Sequence, residues 1–447
     1  MLKTKYRHSN VTIIESKNVG IVGVGESSTE HWGDFCNFVG INQMSAITRA
    51  NATFKVGVYF DKWTDEDFMH CVGVGALGED QLLDKYYHNA AYVIANSKPN
   101  HWMQTPMTWQ NKISTRSLVD KHTSPTPQFQ FDTHALNVML HDACEELGIE
   151  YKDENIYALR SEHTKYYADF FIDCSGFRRF LSQDTPWKSY SEYLPLNSAI
   201  TFATNEMEEY NKYTKCTARS SGWSWQIPTQ TRTGNGYVFC DEFIDPQTAM
   251  EEMNLFHVDK QFKFDPGRLE NAWVNNCFAV GLSQSFVEPL EATSIGSAIQ
   301  SMFCFLHHLP SYDRDGCNRE INYMFDNIAE YVQAHYLTQR EDTPFWRYIK
   351  YDLKLLPGLQ ETLDKWKHRM PLETDIQKRW GLFDVKNYIP VLYGLKWFNS
   401  DVIRKEFDLH GHNHSYYETR FERNHREQKD LLWISHKHAI ELINAAN

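Results

Sequence analysis

The chain has 447 residues, 42% hydrophobic and 23% charged, with a net charge of −13. That length holds one large two-part domain or two domains. So acidic a balance, with no run of five basic residues, does not fit nucleic-acid binding. No apolar stretch approaches the roughly 20 residues that cross a bilayer, and the N-terminus lacks the apolar centre of a signal peptide, so the expectation is a cytoplasmic protein without membrane contact. The nine cysteines form no CxxC pair and read as free thiols in a reducing compartment.

In chain order, residues 11–15 (VTIIE) form a short β-branched run expected to be a buried strand ending in Glu15. Residues 21–25 (IVGVG) read as a second extended stretch. From Phe54 to Phe60 the pattern alternates, with Lys55, Gly57 and Tyr59 on the polar side of one strand. Residues 134–147 have helical spacing and stop at Gly148. Asp169 to Asp173 is a strand. Trp223 to Pro228 and Tyr237 to Phe243 are strands, and Gly234-Asn235-Gly236 between them is a hairpin turn signal. A strand over 276–282 leads to a helix from Thr293 to His308, and the chain beyond 318 is mostly helical. Strands mixed with helices, followed by a helical end, give an α/β fold. The expected division is 1–310 as the core and 311–447 as a helical, substrate-covering region.

Three blocks carry a resemblance. They are Trp223-Ser-Trp225-Gln-Ile227-Pro228 (WxWxIP), Phe286-Val-Glu-Pro289-Leu-Glu291-Ala-Thr293-Ser-Ile295, and Gly23-Val-Gly25-Glu-Ser27 followed by Phe54-Lys55 and Trp63. In that order they resemble the flavin-dependent tryptophan halogenases, over residues from about 11 to about 350. The resemblance implies an FAD-binding, Rossmann-like monooxygenase/halogenase fold. It also implies an oxidoreductase that uses FADH2, O2 and a halide (chloride, bromide or iodide) to form hypohalous acid, which then halogenates an electron-rich aromatic carbon of indole or phenol type. No nicotinamide site is evident, so a separate NAD(P)H-dependent flavin reductase is the implied partner, and a homo-oligomer stays open.

The resemblance also implies roles. Lys55 matches the catalytic lysine, whose ammonium polarises hypohalous acid or whose free amine forms a haloamine. By residue type alone, Lys55 is a solvated charge on a strand. Glu291 matches the active-site carboxylate that stabilises the arene cation and takes its proton, although a glutamate at a helix start is also favoured by the dipole. Thr293 and Ser294 open a helix whose amides suit a bare halide, or else they are a simple cap. Trp223, Trp225, Ile227 and Pro228 would separate flavin from substrate, and a buried apolar strand face would look the same. Gly23, Gly25 and Ser27 would form a strap between flavin and halide. Leu282, Ile295 and Ile156 fall at flavin- or adenine-contacting positions, and Glu15 at the ribose-binding end of a dinucleotide strand.

Three departures stand out. The Gly-rich phosphate loop, due roughly 20 residues before Glu15, is missing; the expectation is a chain begun at an internal Met, with residues 1–10 the end of a first helix and weak FAD binding. Ala292 stands where the family usually has Ser, and Ser294 where it has Gly. The C-terminal tryptophan-holding region is represented at most by the stretch around Tyr388, which shifts the expected substrate from free tryptophan toward another indole, a phenol or a larger aromatic. A flavin hydroxylase is the main alternative, against which Leu282 stands where such enzymes carry Asp; a non-catalytic flavoprotein-like binding protein is the other. His410, His412 and His414 read as a solvated loop rather than a metal site, and His307-His308 as partners of a helix C-terminus.

Overall fold

The computed structural model describes residues 1–20, 26–71, 83–103, 110–118, 128–156, 165–376, 379–429 and 432–446. The predicted stretch 21–25, with Gly23 and Gly25, lies outside the described residues. The strands that position the site are β1 (Thr12–Glu15), β2 (Glu26–Ser27), β3 (Thr53–Lys55), β4 (Gly57–Asp61), β5 (Phe68–Cys71), β6 (Gln128–Phe131), β7 (Glu150–Asp153), β8 (Ser198–Asn205), β9 (Thr214–Arg219), β10 (Gly222–Pro228), β11 (Arg232–Phe239) and β12 (Lys260–Lys263). The helices that matter are α1 (His31–Val39), α2 (Thr133–Glu146), α3 (Thr293–His308), α4 (Arg314–Ala334) and α5 (Val385–Gly394).

A seven-stranded sheet in the order β12-β8-β11-β10-β9-β4-β5 is the main scaffold, and the three-stranded sheet β2-β6-β3 stands beside it. The predicted single strand from Phe54 to Phe60 is divided between them. β3 pairs antiparallel with β6, whereas β4 pairs parallel with β9 and antiparallel with β5. Gly57 marks the crossing, because a Cβ there would collide with the carbonyl oxygen of His70. The crossing rules out the solvated reading that residue type alone gives Lys55: enclosed where two sheets meet, it is 1% exposed.

A second correction concerns Gly234-Asn235-Gly236. These residues lie inside β11, and the chain reverses at Thr229–Thr231, where Thr229 N–H donates to the Arg232 carbonyl. Gly236 pairs with Trp225 across the ladder, and a Cβ on it would overlap the indole. The glycine serves a close approach rather than a turn. β11 also ends at Phe239, short of the predicted Phe243.

β1 pairs in parallel with β7 and is only partly covered, so the expected buried strand is half-open. Leu2–Lys5 forms one helical turn. Helix α2 matches its predicted span within one residue, with Asp132 capping the amides of His134 and Ala135 and Gly148 in the left-handed region (φ 68°). α3 covers the predicted Thr293–His308. The predicted strands over 169–173 and 276–282 shorten to Phe171–Asp173 and Cys277–Ala279. Beyond residue 311 the regular elements of the described chain are helices and a short 3-10 turn, apart from one strand, Trp433–Ser435, which returns to pair with Lys112–Ser114. One large core joins the sheet to α4, α5 and their aromatic neighbours.

Candidate active site

A cavity of about 710 Å³ lies between the sheets and the start of α3. Its wall includes Ser27, Trp223, Trp225, Ile227, Leu282, Glu291, Thr293, Ser294 and Ile295. Nine residues singled out by sequence, from four separate segments, are therefore brought to one surface. Pro228 is buried at the end of β10, where its carbonyl accepts from Thr53 Oγ1. Glu15 is not among the cavity-lining residues; it ends β1 exposed, its Oε1 accepting from Tyr151 Oη at 2.8 Å. Ile156 is half-buried and likewise not among them.

Trp223 and Trp225 share a face as alternation requires, their ring centroids 5.9 Å apart. Trp223 is anchored from behind: its Nε1–H donates to Glu288 Oε2 at 2.7 Å, and Tyr336 Oη donates to the same oxygen at 2.5 Å. Glu288 is 1% exposed, and burial pushes its carboxyl up to about 7, against the lowering effect of those two donors.

The chain reaches α3 through two residues in the left-handed region, Glu291 (φ 64°) and Ala292 (φ 58°). Neither is glycine, so the turn stores strain that the surrounding structure must hold. It turns the Glu291 side chain inward, to 5% exposure. Helix α3 then begins at Thr293, and the first-turn amides of a helix have no partner within it, so they form a ready anion site beside the carboxylate. Gly296 in that first turn packs against Thr29, which a Cβ would strike.

Lys55 Nζ donates to the Ser28 carbonyl at 3.3 Å. Burial pulls its ammonium down to about 8, although Glu291, Cys216 and Glu30 act in the opposite direction. Lys55 and Glu291 are thus both buried, and the Glu291 charge favours the Lys55 ammonium. Lys55 itself is not among the cavity-lining residues. Burial pushes the Glu291 carboxyl upward, but His70 and His335 outweigh it and hold the group down at about 2. His70 Nδ1 lies 2.9 Å and His335 Nε2 3.3 Å from Glu291 Oε1.

His70, His335 and Glu288 were missed by sequence. His70 sits on β5 and His335 just beyond α4, far from Glu291 in the chain, so no local spacing marks them. Tyr388, singled out within the substrate-region stretch, is fully buried against Tyr331 and Trp366; its neighbour Asn387 reaches His70 Nε2 at 3.2 Å. His308 does more than face a helix end, contacting Asp313 and Glu320 at 3.1 and 3.0 Å. His410 and His412 are joined by His88, with one nitrogen of each within 4.8 Å of the others. These are three half-buried or exposed imidazoles, and no carboxylate joins the group among the described residues.

The sequence model of the family described as tryptophan halogenase matches residues 1–405. The chain belongs to this family. It is 29% identical over 449 residues to tryptophan 7-halogenase RebH of Lentzea aerocolonigenes, a match covering 87% of this chain and 84% of that protein. It is 28% identical to tryptophan 7-halogenase KtzQ of Kutzneria sp., over 82% and 78% of the two chains. Its fold matches the crystal structure of a tryptophan 6-halogenase (SttH) from Streptomyces toxytricini with TM-score 0.85 at 23% identity, covering 99% and 96% of the chains. BrvH, a flavin-dependent halogenase from Brevundimonas sp. BAL3, matches with TM-score 0.81 at 21% identity, covering 99% and 95%. This chain is a flavin-dependent halogenase, an enzyme, with a mixed α/β fold. No helix among the described residues of the halogenase is long and apolar enough to cross a membrane.

Proposed function

We propose that the halogenase takes FADH2 from a separate flavin reductase and halogenates an indole, free tryptophan first among the candidates, at Lys55 and Glu291. The supporting observation is that Lys55 and Glu291 are both buried, with Glu291 sharing one cavity wall with Trp223 and Trp225. The relatives named as tryptophan halogenases favour tryptophan, with other indoles as the alternatives.

The cavity suits a flavin ring. Leu282 and Ile295 offer apolar surface, and Thr293 and Ser294 offer helix-start amides for a halide beside it. When bound, reduced FAD supplies the two-electron activation of O2 that oxidises halide to hypohalous acid. The protein does the rest. Trp223, held by Glu288, and Trp225, seated over Gly236, keep the aromatic substrate away from the flavin while leaving room for a small oxidant. Lys55, close to half-ionised near pH 8, either hydrogen-bonds hypohalous acid as an ammonium or carries the halogen as an amine. Glu291 is charged throughout the neutral range and faces the cation that forms on the arene, so it stabilises that charge and takes the ring proton.

The test is mass spectrometry of tryptophan and a panel of indoles and phenols incubated with enzyme, flavin reductase and FAD, with and without chloride or bromide. A product heavier by the halogen, formed only with halide, is expected. A hydroxylated product formed without halide would overturn the proposal.

A further inference from the structure

A second cluster of chemically active side chains lies where α3 ends and α4 begins, outside the cavity wall. Cys304 and His308 stand four residues apart on α3, and Cys317 and Glu320 three apart on α4, so each pair shares one face of its helix. Cys304, Cys317 and His308 are buried, and Glu320 is partly open. Glu320 Oε2 lies 3.0 Å from His308 Nε2 and 3.8 Å from Cys304 Sγ. These three ligand atoms all fall within 4.8 Å of one another. The Cys317 thiol hydrogen-bonds that of Cys304. This contact, together with burial, pushes the Cys304 thiol far above its ordinary value, so it ionises only against a cation. The far side of His308 is built as well. Its Nδ1 lies 3.1 Å from Asp313 Oδ2, while Asp313 Oδ1 accepts from the Gly316 amide at 2.9 Å as the cap of α4. A fixed carboxylate behind the ring is the support that metal-bound histidines regularly have. Buried thiols between helices are ordinarily plain packing groups. Here two of them converge with an imidazole nitrogen and a carboxylate oxygen.

We infer that Cys304, Cys317, His308 and Glu320 form a structural zinc site. At ordinary Zn–N, Zn–O and Zn–S lengths, tetrahedral ligands stand about 3.4 Å apart for N and O and about 3.6 Å apart for S and O. The observed 3.0 and 3.8 Å are within about 0.4 Å of both. Cys317 is the fourth ligand, its sulfur moving from the Cys304 thiol to the ion. As each S–Zn bond forms, the thiol gives its proton to solvent, and nothing is oxidised or reduced. His308 binds through Nε2 and keeps Nδ1–H for Asp313; Glu320 binds through Oε2. Two thiolates and one carboxylate leave the bound Zn2+ with one surplus negative charge. Arg379 Nε, 3.3 Å from Glu320 Oε1, faces that charge. A sulfur-rich tetrahedral set selects zinc over magnesium or calcium, and four protein ligands leave no open position for catalysis. The ion therefore acts as a staple between two helices. The opposite end of α3 carries Thr293 and Ser294, and α4 leads to Tyr331 and His335 beside Glu291, so the staple braces both helices that frame the active site.

The experiment is metal analysis of the full chain, produced with zinc in the medium and purified without chelator. Elemental mass spectrometry should find about one zinc per chain in the wild type and almost none in Cys304→Ser. Because that variant can fail to fold, the wild type is also stripped with a strong chelator and refilled. Stripping should lower the melting temperature by several degrees, and Zn2+ should restore it where Mg2+ does not. Refilling with Co2+ should give the absorption of a tetrahedral ion with thiolate-to-metal charge transfer. Three results would overturn the site: a wild type that holds no zinc and shows no such band with Co2+; a Cys304–Cys317 disulfide in the non-reduced peptide map; or zinc that survives Cys304→Ser and is lost in His412→Gln, which would place it at the imidazoles of His88, His410 and His412. None of these readouts depends on halogenation.

Discussion

Glu288 and Glu291 stand one turn of chain apart, and both are almost fully buried, at 1% and 5% exposure. Burial pushes both carboxyls upward, yet Glu288 ends at about 7 and Glu291 at about 2. The difference lies in who donates to them. Glu288 receives an indole N–H and a phenol O–H, neutral groups that return only part of the lost hydration. Glu291 receives two imidazoles, which favour its charged form. One short segment therefore builds two kinds of carboxyl: one that props up a tryptophan and one ready to accept a proton.

The largest effect is expected from removing the charge at Glu291. Glu291→Gln should lower halogenation by roughly 100- to 1,000-fold, the usual worth of a positioned base and countercharge. Glu288→Gln, which still accepts from Trp223 and Tyr336, should stay within about threefold, since the amide oxygen keeps both hydrogen bonds. Product formation measured by mass spectrometry separates them, and equal losses would erase the contrast. Next is Gly236→Ala, whose methyl overlaps the Trp225 ring. It should destabilise the protein by about 1–3 kcal/mol, read as a lower urea midpoint. Trp223→Phe, leaving a buried Glu288 oxygen short of one donor, should cost about 1–2 kcal/mol by the same measurement.

A further contrast is in pH dependence, where the two carboxyls have opposite signs. A raised acid binds its proton more tightly when folded, so Glu288 makes stability fall as pH rises from 4.5 through about 7. A depressed one does the reverse, and the stability Glu291 contributes is lost as pH falls from 4.5 toward about 2. Thermal melting across pH 3 to 8 should therefore show Glu288→Gln flattening the upper limb and leaving the lower one in place.

The motifs made much of this site legible. WxWxIP placed the wall, and the run from Phe286 to Ile295 placed the carboxylate and the helix start, because local spacing sets which side chains share a face. Local pattern misled where the environment was not local. Lys55 alternates like a surface residue, yet Gly57 carries the chain from one sheet to another and closes protein around it. Gly234-Asn235-Gly236 has turn chemistry, yet the partner at Gly236 is an indole from the next strand. His70, His335 and Asn387 come from three distant segments and meet only when α4 and α5 pack against β5, so their role is a property of the tertiary fold.

The decisive measurement compares wild-type enzyme with Lys55→Ala, both supplied with FAD, flavin reductase, O2, bromide and an indole substrate, following halogenated product alongside trapped free hypohalous acid. The expected result is product from the wild type only, with hypohalous acid still released by the variant. Halogenated product from Lys55→Ala at the wild-type rate would contradict the assignment of this buried amine to the reaction.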